Sequence, residues 1–544
     1  MSEDAREIKV KTRKFSLRKG KLRICFSPLD DQVKIQELFL KKRHALEEIR
    51  VPFHLEAGGN GYEAWMDLER EKFEYAFWDI VAVAANGSEV YQAILGGQSV
   101  SLKMRLILFP CWYKKGGDSI IYPFVNGSRQ FTIQSRKYNK GYDSCAFIWK
   151  EYLALLCYVL LKPYWDRKKL WLVCEKFCTM AQDNGLYFFR YCMEHLPQQE
   201  NKHILYVIDK KASDYQAVQK YDQNVIQFMS FRYMIYLCAA QYLISTDAIR
   251  HFYIWDSPNS VFKVLYQARK DLIFLQHGVM AFKQCHRTYH KSGGNRMKLF
   301  VTSSEYEQDI IYHYFEYDRE EIIITGLPRW DVLHDTSTPR HKELLLMPTW
   351  RGWLEDASEE EFCSSDYFTN YEALLKNKEL HRLLEQNEIT LNFYIHPKFR
   401  DYIGQFHAGN ARIRLIPFGE QPLNELLMSC QMLITDYSSV AWDVYYQEKP
   451  IVFFPFDLAT YQKVQGSYMD IEKEAFGDVV HTLPELLNTV CKYVENGFKE
   501  EAVHAQRRAY LLPLRDHRNS ERIYKCIKAA KPGKKLNIRG KLGI

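Results

Sequence analysis

The chain has 544 residues, 47% hydrophobic and 26% charged, with 74 Lys and Arg against 67 Asp and Glu. That length exceeds what one hydrophobic core organises, so two to four domains are expected, and the balance excludes a disordered or fibrous protein. The longest apolar run, YLALLCYVLL at residues 152–161, is too short to cross a bilayer; the first twenty residues lack the apolar stretch of a secretory signal; and thirteen irregularly spaced cysteines fit reduced cytosolic thiols better than a disulfide framework.

Basic residues crowd the start, from Lys9 and Lys11 to Lys21 and Arg23, and return at the end from Lys525 to Lys541, after the last acidic residue, Glu521. Such clusters suit anionic headgroups or nucleic acid, or simply keep an end solvated. From residue 22 to about 143, short apolar segments alternate with turn signals such as Asn86-Gly87 and Asn126-Gly127. The pattern predicts a small strand-rich sandwich containing ICFSP, YAFWDIVAVAA, VSLKMRLILFP and RQFTIQS, broken by a helix over residues 32–49. No catalytic constellation shows in this part, so an accessory or docking role is expected. Residues 146–170 read as an amphipathic linker helix whose aromatic stripe packs on a neighbouring domain or touches lipid.

Beyond residue 170 strands alternate with helical segments. WLVCE, ILYVI, VIQFM, YLIST, LIFLQ, LFVTS and EIIITG form one series; LLLMP, LNFYIH, IRLIP, QMLITD and PIVFFP form a second, with helices over residues 371–386, 423–429 and 440–447 and a last helical segment over 484–529 that crosses back over the first series. The rhythm predicts two doubly wound, Rossmann-like domains in tandem, over residues 171–335 and 336–530, with a strand-rich accessory domain over 1–145 in front and a basic tail over 531–544 behind. Ligands of such folds bind in the crevice at the carboxyl ends of the strands.

Polar residues directly after strands are therefore the candidate site. His277 in LIFLQHGVMA stands where an imidazole can take a proton from a hydroxyl, with Gly278 allowing a sharp turn and close approach of a ligand. His396 in FYIHPKFR sits beside Lys398 and Arg400, where it can steady a phosphate. In LITDYSSVAWDVYYQEKPIVFF, Ser438 and Ser439 fall at a helix start that either holds a diphosphate or merely caps the helix, and Asp443 follows one turn later. Arg329 and Asp331 in ITGLPRWDVL, with Thr349 and Arg351 in LLLMPTWRGW, complete the set, Asp331 as a cap for the next helix. Cys174, Cys178, Cys192 and His195 imitate metal ligands but contain no CxxC pair, so buried thiols are expected and no metal. Walker A, GxGxxG and HExxH patterns do not occur, which argues against P-loop NTPases, dehydrogenases and metalloproteases.

The ordered segments AQDNGLYFFRYC, LQHGV, TGLPRWDVL, MPTWRGW, YIHPKF and ITDYSSVAWDVYYQEKPIVFFPFDLATY resemble the CDP-glycerol glycerophosphotransferase family of teichoic-acid primases and polymerases. The resemblance implies a GT-B fold and transfer of glycerol phosphate, or another polyol phosphate, from a CDP-polyol such as CDP-glycerol or CDP-ribitol to a hydroxyl of a lipid-linked acceptor, with CMP leaving. It implies His277 as general base and His396 at the diphosphate. Gly278, Arg329, Thr349, Arg351, Ser438, Ser439 and Asp443 would bind the donor. It also implies no cofactor, no nucleic-acid partner, and a peripheral place on the cytoplasmic face of the membrane. Two departures stand out: Gln276 where many relatives carry Trp, and Phe476-Gly477-Asp478 where a Pro-Gly-Pro run is frequent. Two other readings are a GT-B glycosyltransferase using a sugar nucleotide and a non-catalytic membrane-associated assembly component.

Overall fold

The computed structural model describes residues 7–43, 49–58, 61–116, 118–126, 128–254, 260–262, 270–355, 357–417 and 419–531, so most of the basic tail lies outside the described residues. The chain forms two compact units. One is Met1–Trp165 with Met229–Ala239 and Phe252–Arg269; the other is Asp166–Phe228 with Ala240–His251 and Lys270–Ile544.

Among the described residues of the first unit, eleven strands are hydrogen-bonded into one branched ladder network, with a core cluster that includes Trp78, Phe15, Phe26 and Leu40, so this part is strand-rich as expected. Its first strand, Glu7–Arg18, alternates exposed Lys9 and Lys11 with buried Ile8 and Val10, which places that basic cluster on an outer face. Two elements correct the sequence reading. The helix expected over 32–49 is in its described part the strand Val33–Lys42, whose alternation pairs it antiparallel with Ala76–Asn86. The strand expected in VSLKMRLILFP is the helix Val100–Leu108, capped by Ser99 Oγ on Leu102 N–H and burying Leu102 and Leu106 four apart. The stretch expected as a linker helix over 146–170 holds the helix Cys145–Leu160 and a short second one, Lys162–Asp166. Phe147, Glu151, Ala154 and Tyr158 are the buried side of the first, packed on Phe231–Ala239, while Trp149, Leu153, Leu156 and Leu160 stand exposed on the other. No helix among the described residues is long and apolar enough to cross a membrane.

The second unit carries two all-parallel sheets. Numbered along the chain, the strands of the first (Trp171–Cys174, Ile204–Ile208, Val225–Gln227, Tyr242–Ser245, Asp271–Phe274, Met297–Thr302, Ile322–Ile324) lie in the order 3-2-1-4-5-6-7. Those of the second (Lys342–Leu346, Ile389–Tyr394, Ile413–Ile416, Met432–Thr435, Ile451–Phe453, Asp478–Val479) lie in the order 3-2-1-4-5-6. This is the doubly wound Rossmann order twice over, the GT-B arrangement, and the strands are apolar runs because both faces are covered. The sixth strand, only two residues long, has no such run and escapes sequence reading. The helix expected over 371–386 is two, Asp366–Leu375 and Lys378–Gln386, the second opened by Asn377. The segment expected over 484–529 is three helices, Leu483–Glu495, Ala502–Leu511 and Asn519–Ala529. The last does return to the first sheet's side: Tyr524 meets Trp171, and the Tyr242 hydroxyl donates to the Ala530 carbonyl at 2.7 Å. Asp331 caps this distant helix rather than the next one, accepting from the N–H groups of Asn519 and Ser520 at 2.7 and 2.8 Å.

Candidate active site

All sequence-predicted site residues lie at or beyond the carboxyl ends of the parallel strands, where a doubly wound sheet presents its crevice. After Asp271–Phe274, Gln276 is fully buried with φ +59°, an uncommon backbone state for a residue with a Cβ. Its Nε2 donates to Glu307 at 3.1 Å and to the Val301 carbonyl, and Glu307 also accepts from Met280 N–H and Ser303 N–H at 2.8 and 2.7 Å. Burial pushes the Glu307 carboxyl up, so these donors are what make its place tenable. With Gln276 anchored, His277 leans outward, its side chain 51% exposed and its Nδ1 3.9 Å from Asp247 Oδ2. Gly278 is needed for space: a Cβ there would run into Ser439 Oγ, a residue of the other sheet's loops.

The segment after His277 docks onto the second domain. Tyr468 N–H donates to the Ala281 carbonyl at 2.9 Å, the Tyr461 hydroxyl donates to the Phe282 carbonyl at 3.0 Å, and Gln284 N–H donates to the Gly466 carbonyl at 3.0 Å. A second link is ionic. Arg329 Nε and Nη2 reach the two oxygens of Asp443 at 2.6 and 2.8 Å, and its Nη1 donates to Asp183 at 3.0 Å and to the His277 carbonyl at 2.8 Å. Asp443 also accepts from Trp330 Nε1 at 2.8 Å and is buried. Arg329 and Asp443 are therefore committed to each other, tying the two sheets together behind His277, and direct donor contact by Asp443 is replaced by this clamp.

Arg351 is likewise a framework residue. It is 0% exposed, with Nε and Nη2 on Asp457 at 2.7 and 3.0 Å and Nη1 on Asp436 and the Thr349 carbonyl at 2.8 and 2.6 Å. A guanidinium so enclosed has no surface for a ligand; it holds the loop that carries Thr349, whose N–H donates to Asp436 at 2.8 Å and whose buried Oγ1 is left without a partner. Ser438 Oγ accepts from Val440 N–H at 3.4 Å, whereas Ser439, at the start of the helix Val440–Tyr446, makes no cap bond.

His396 has different surroundings. Its Nδ1 accepts from Lys398 N–H at 3.2 Å, which leaves the proton on Nε2. Burial, then Lys398, Lys283 and Lys176, push the imidazole down to about 4, so it is neutral at neutral pH. Lys283, from the docked segment after His277, and Lys398 lie 4.6 and 3.9 Å from the ring centre of Trp350, whose ring neighbours His396 at 5.9 Å. A cluster of cationic side chains thus forms where loops of both sheets meet, with Lys398 also paired to Glu355. Sequence reading missed Lys283, Lys176, Asp183 and Asp247. Lys176, Asp183 and Asp247 also follow strands, a signal that was available, whereas Lys283 reaches the cluster only through docking. Cys174 faces Ser245 Oγ at 3.8 Å and Cys178 donates to the His251 carbonyl at 3.3 Å, as buried thiols do.

The sequence profile described as CDP-Glycerol:Poly(glycerophosphate) glycerophosphotransferase matches residues 159–529, both Rossmann-like domains in full. The chain belongs to this family. Among relatives, it is 29% identical over 378 residues to the minor teichoic acid biosynthesis protein GgaB of Bacillus subtilis, covering 66% of this chain and 40% of that protein. It is 27% identical over 226 residues to the teichoic acid poly(glycerol phosphate) polymerase of the same organism, 38% of this chain and 28% of that one. It is 25% identical over 269 residues to the ribitol-phosphate polymerase TarL of Staphylococcus aureus, 44% and 45% respectively. The matches span less than half the length of each of these three relatives. A structure of the wall teichoic acid polymerase TagF superposes with a TM-score of 0.48 at 15% identity, over 71% of this chain and 98% of that one.

Proposed function

We propose that this member of the family transfers glycerol phosphate, or a related polyol phosphate, from a CDP-polyol to a hydroxyl of a lipid-linked acceptor in teichoic-acid synthesis. The observation that carries the reading is a half-exposed imidazole, His277, at a strand end of one sheet, together with Lys283 from the segment after it joining Lys398 and His396 around Trp350 at a strand end of the other. The relatives named as glycerol-phosphate and ribitol-phosphate polymerases point to the same donor class.

In this mechanism the acceptor hydroxyl gives its proton to His277 as its oxygen attacks the phosphorus bearing the polyol. The bond from that phosphorus to the bridging oxygen breaks, and CMP departs with the electron pair. The lysines and the Nε2–H of His396 stabilise the charge that grows on the bridging and non-bridging oxygens. Ser439 Oγ supplies a hydroxyl beside Gly278, while Arg329, Asp443 and Arg351 hold the geometry. The exposed side of Cys145–Leu160, with Trp149, Leu153, Leu156 and Leu160, supports a peripheral seat on the cytoplasmic face of the membrane, where the acceptor resides.

The test is CMP release by the purified chain from CDP-glycerol and CDP-ribitol, with UDP-sugars alongside and a lipid-diphosphate acceptor present. CMP production from a CDP-polyol, dependent on acceptor, is expected; turnover of a sugar nucleotide alone would select the glycosyltransferase reading instead. Binding to anionic vesicles is expected to weaken in Trp149→Asp/Leu153→Asp.

A further inference from the structure

We propose that Asp247 is a positioning residue for His277, itself aligned by His251, so that His277 keeps its proton on Nδ1 and presents Nε2 to the incoming hydroxyl. The inference rests on the proposed function for its catalytic meaning, though not for its geometry.

Asp247 follows the strand Tyr242–Ser245 and is buried, with its N–H donating to Ser245 Oγ at 3.1 Å. Its two oxygens face two imidazoles: Oδ1 lies 3.8 Å from His251 Nε2 and Oδ2 lies 3.9 Å from His277 Nδ1. The state of His251 follows from its other nitrogen. Phe177 N–H donates to His251 Nδ1 at 3.1 Å, so that atom carries the lone pair and the proton sits on Nε2, toward Asp247. Burial pushes His251 down to about 4, which keeps it neutral and in this one tautomer at neutral pH.

The grip on His251 involves strained backbone. Phe177 and Cys178 have φ +57° and +52°, two consecutive non-glycine residues in the left-handed region. They supply the N–H to the ring and the thiol that donates to the His251 carbonyl at 3.3 Å, while the Phe177 ring stands edge-on to the imidazole at 4.7 Å. Strain of this kind persists where the surroundings hold it, and here they hold one imidazole.

Asp183 is the other carboxylate near His277; its Oδ1 accepts from Arg329 Nη1 at 3.0 Å and from Asn184 N–H at 2.8 Å, and the Arg329 charge holds it. Arg329 meets His277 only at its carbonyl, and Lys176 and Arg250 act on the His251 side. Among the described residues, Asp247 is the carboxylate within 4 Å of a His277 ring nitrogen. Contacts near 3.9 Å shorten to hydrogen bonds as the imidazole takes charge, and an acceptor at Nδ1 fixes both ring orientation and tautomer.

The experiment uses the full chain as wild type, Asp247→Asn, Asp247→Glu and His251→Gln, read by CMP release from CDP-glycerol and by 15N spectra of labelled imidazoles. Asp247→Asn is expected to lower kcat about a hundredfold with the donor KM within about twofold, and to remove the Nδ1–H signature of His277. Asp247→Glu should recover part of both, and His251→Gln should lower kcat about fivefold. An Asp247→Asn protein that melts like wild type with kcat and the His277 tautomer unchanged would overturn the proposal. Should that variant fail to fold, an Asp247→Ala protein with kcat and the His277 tautomer unchanged would do so. A wild type that releases CMP from no CDP-polyol would refute the functional reading, while the 15N spectra would still decide the alignment.

Discussion

The two strand-end histidines follow different strands of similarly ordered sheets, His277 the fifth of the first and His396 the second of the second, and acquire opposite surroundings. His277 projects from a buried, left-handed anchor toward Asp247, with Asp183 close by; His396 is turned back onto Lys398 N–H and ringed by lysines. A histidine beside carboxylates is suited to receive a proton, whereas a neutral one among cations is suited to donate a hydrogen bond to a phosphate. Topology supplies the position, and the neighbouring loops supply the role.

This contrast can be broken experimentally. The largest effect is expected from His277→Ala, which should lower kcat about a thousandfold with the melting temperature unchanged. Asp443→Asn should cost about 3–5 kcal/mol in denaturant unfolding, because Arg329 loses half of a buried ion pair and both sheets lose their clamp. Lys283→Ala should raise the KM for CDP-glycerol about tenfold with a smaller change in kcat; an equal loss in His277-dependent kcat instead would erase the division of labour.

The smallest effect concerns acid stability. His396 is held near 4 in the fold against an ordinary value of 6.5, so between those values the unfolded chain binds a proton that the folded chain does not. Stability from this residue is complete above about pH 6.5 and is lost as the pH falls toward 4. Buried carboxyls raised by burial, such as Glu307, act with the opposite sign, so the comparison belongs between variants. Wild type should lose unfolding free energy relative to His396→Gln as the pH drops through that window, and parallel curves would remove the cationic ring from the argument.

The apolar strand runs, the alternation with helices and the strand-end place of both histidines were legible in the sequence, because parallel strands buried on both faces must read as short Val, Ile and Leu blocks followed by turns. Regions where local pattern was ambiguous went astray. Residues 33–42 carry helix-forming Lys, Gln, Glu and Leu, yet pair with Ala76–Asn86, and residues 100–108 read as a strand until Ser99 caps them as a helix. Of the site, Arg351 and Asp443 looked like ligand contacts because sequence shows charge but not burial. Only tertiary structure places Asp436 and Asp457 around one and Arg329 against the other. The same holds for Lys283, carried to Trp350 by hydrogen bonds to residues 461–468, and for Asp247, brought to His277 by adjacent parallel strands. Chain pattern determined which groups stand at the sheet ends, since periodicity and turn chemistry are local. Long-range packing decided which of them face one another, and with what charge, since that depends on loops far apart in the chain.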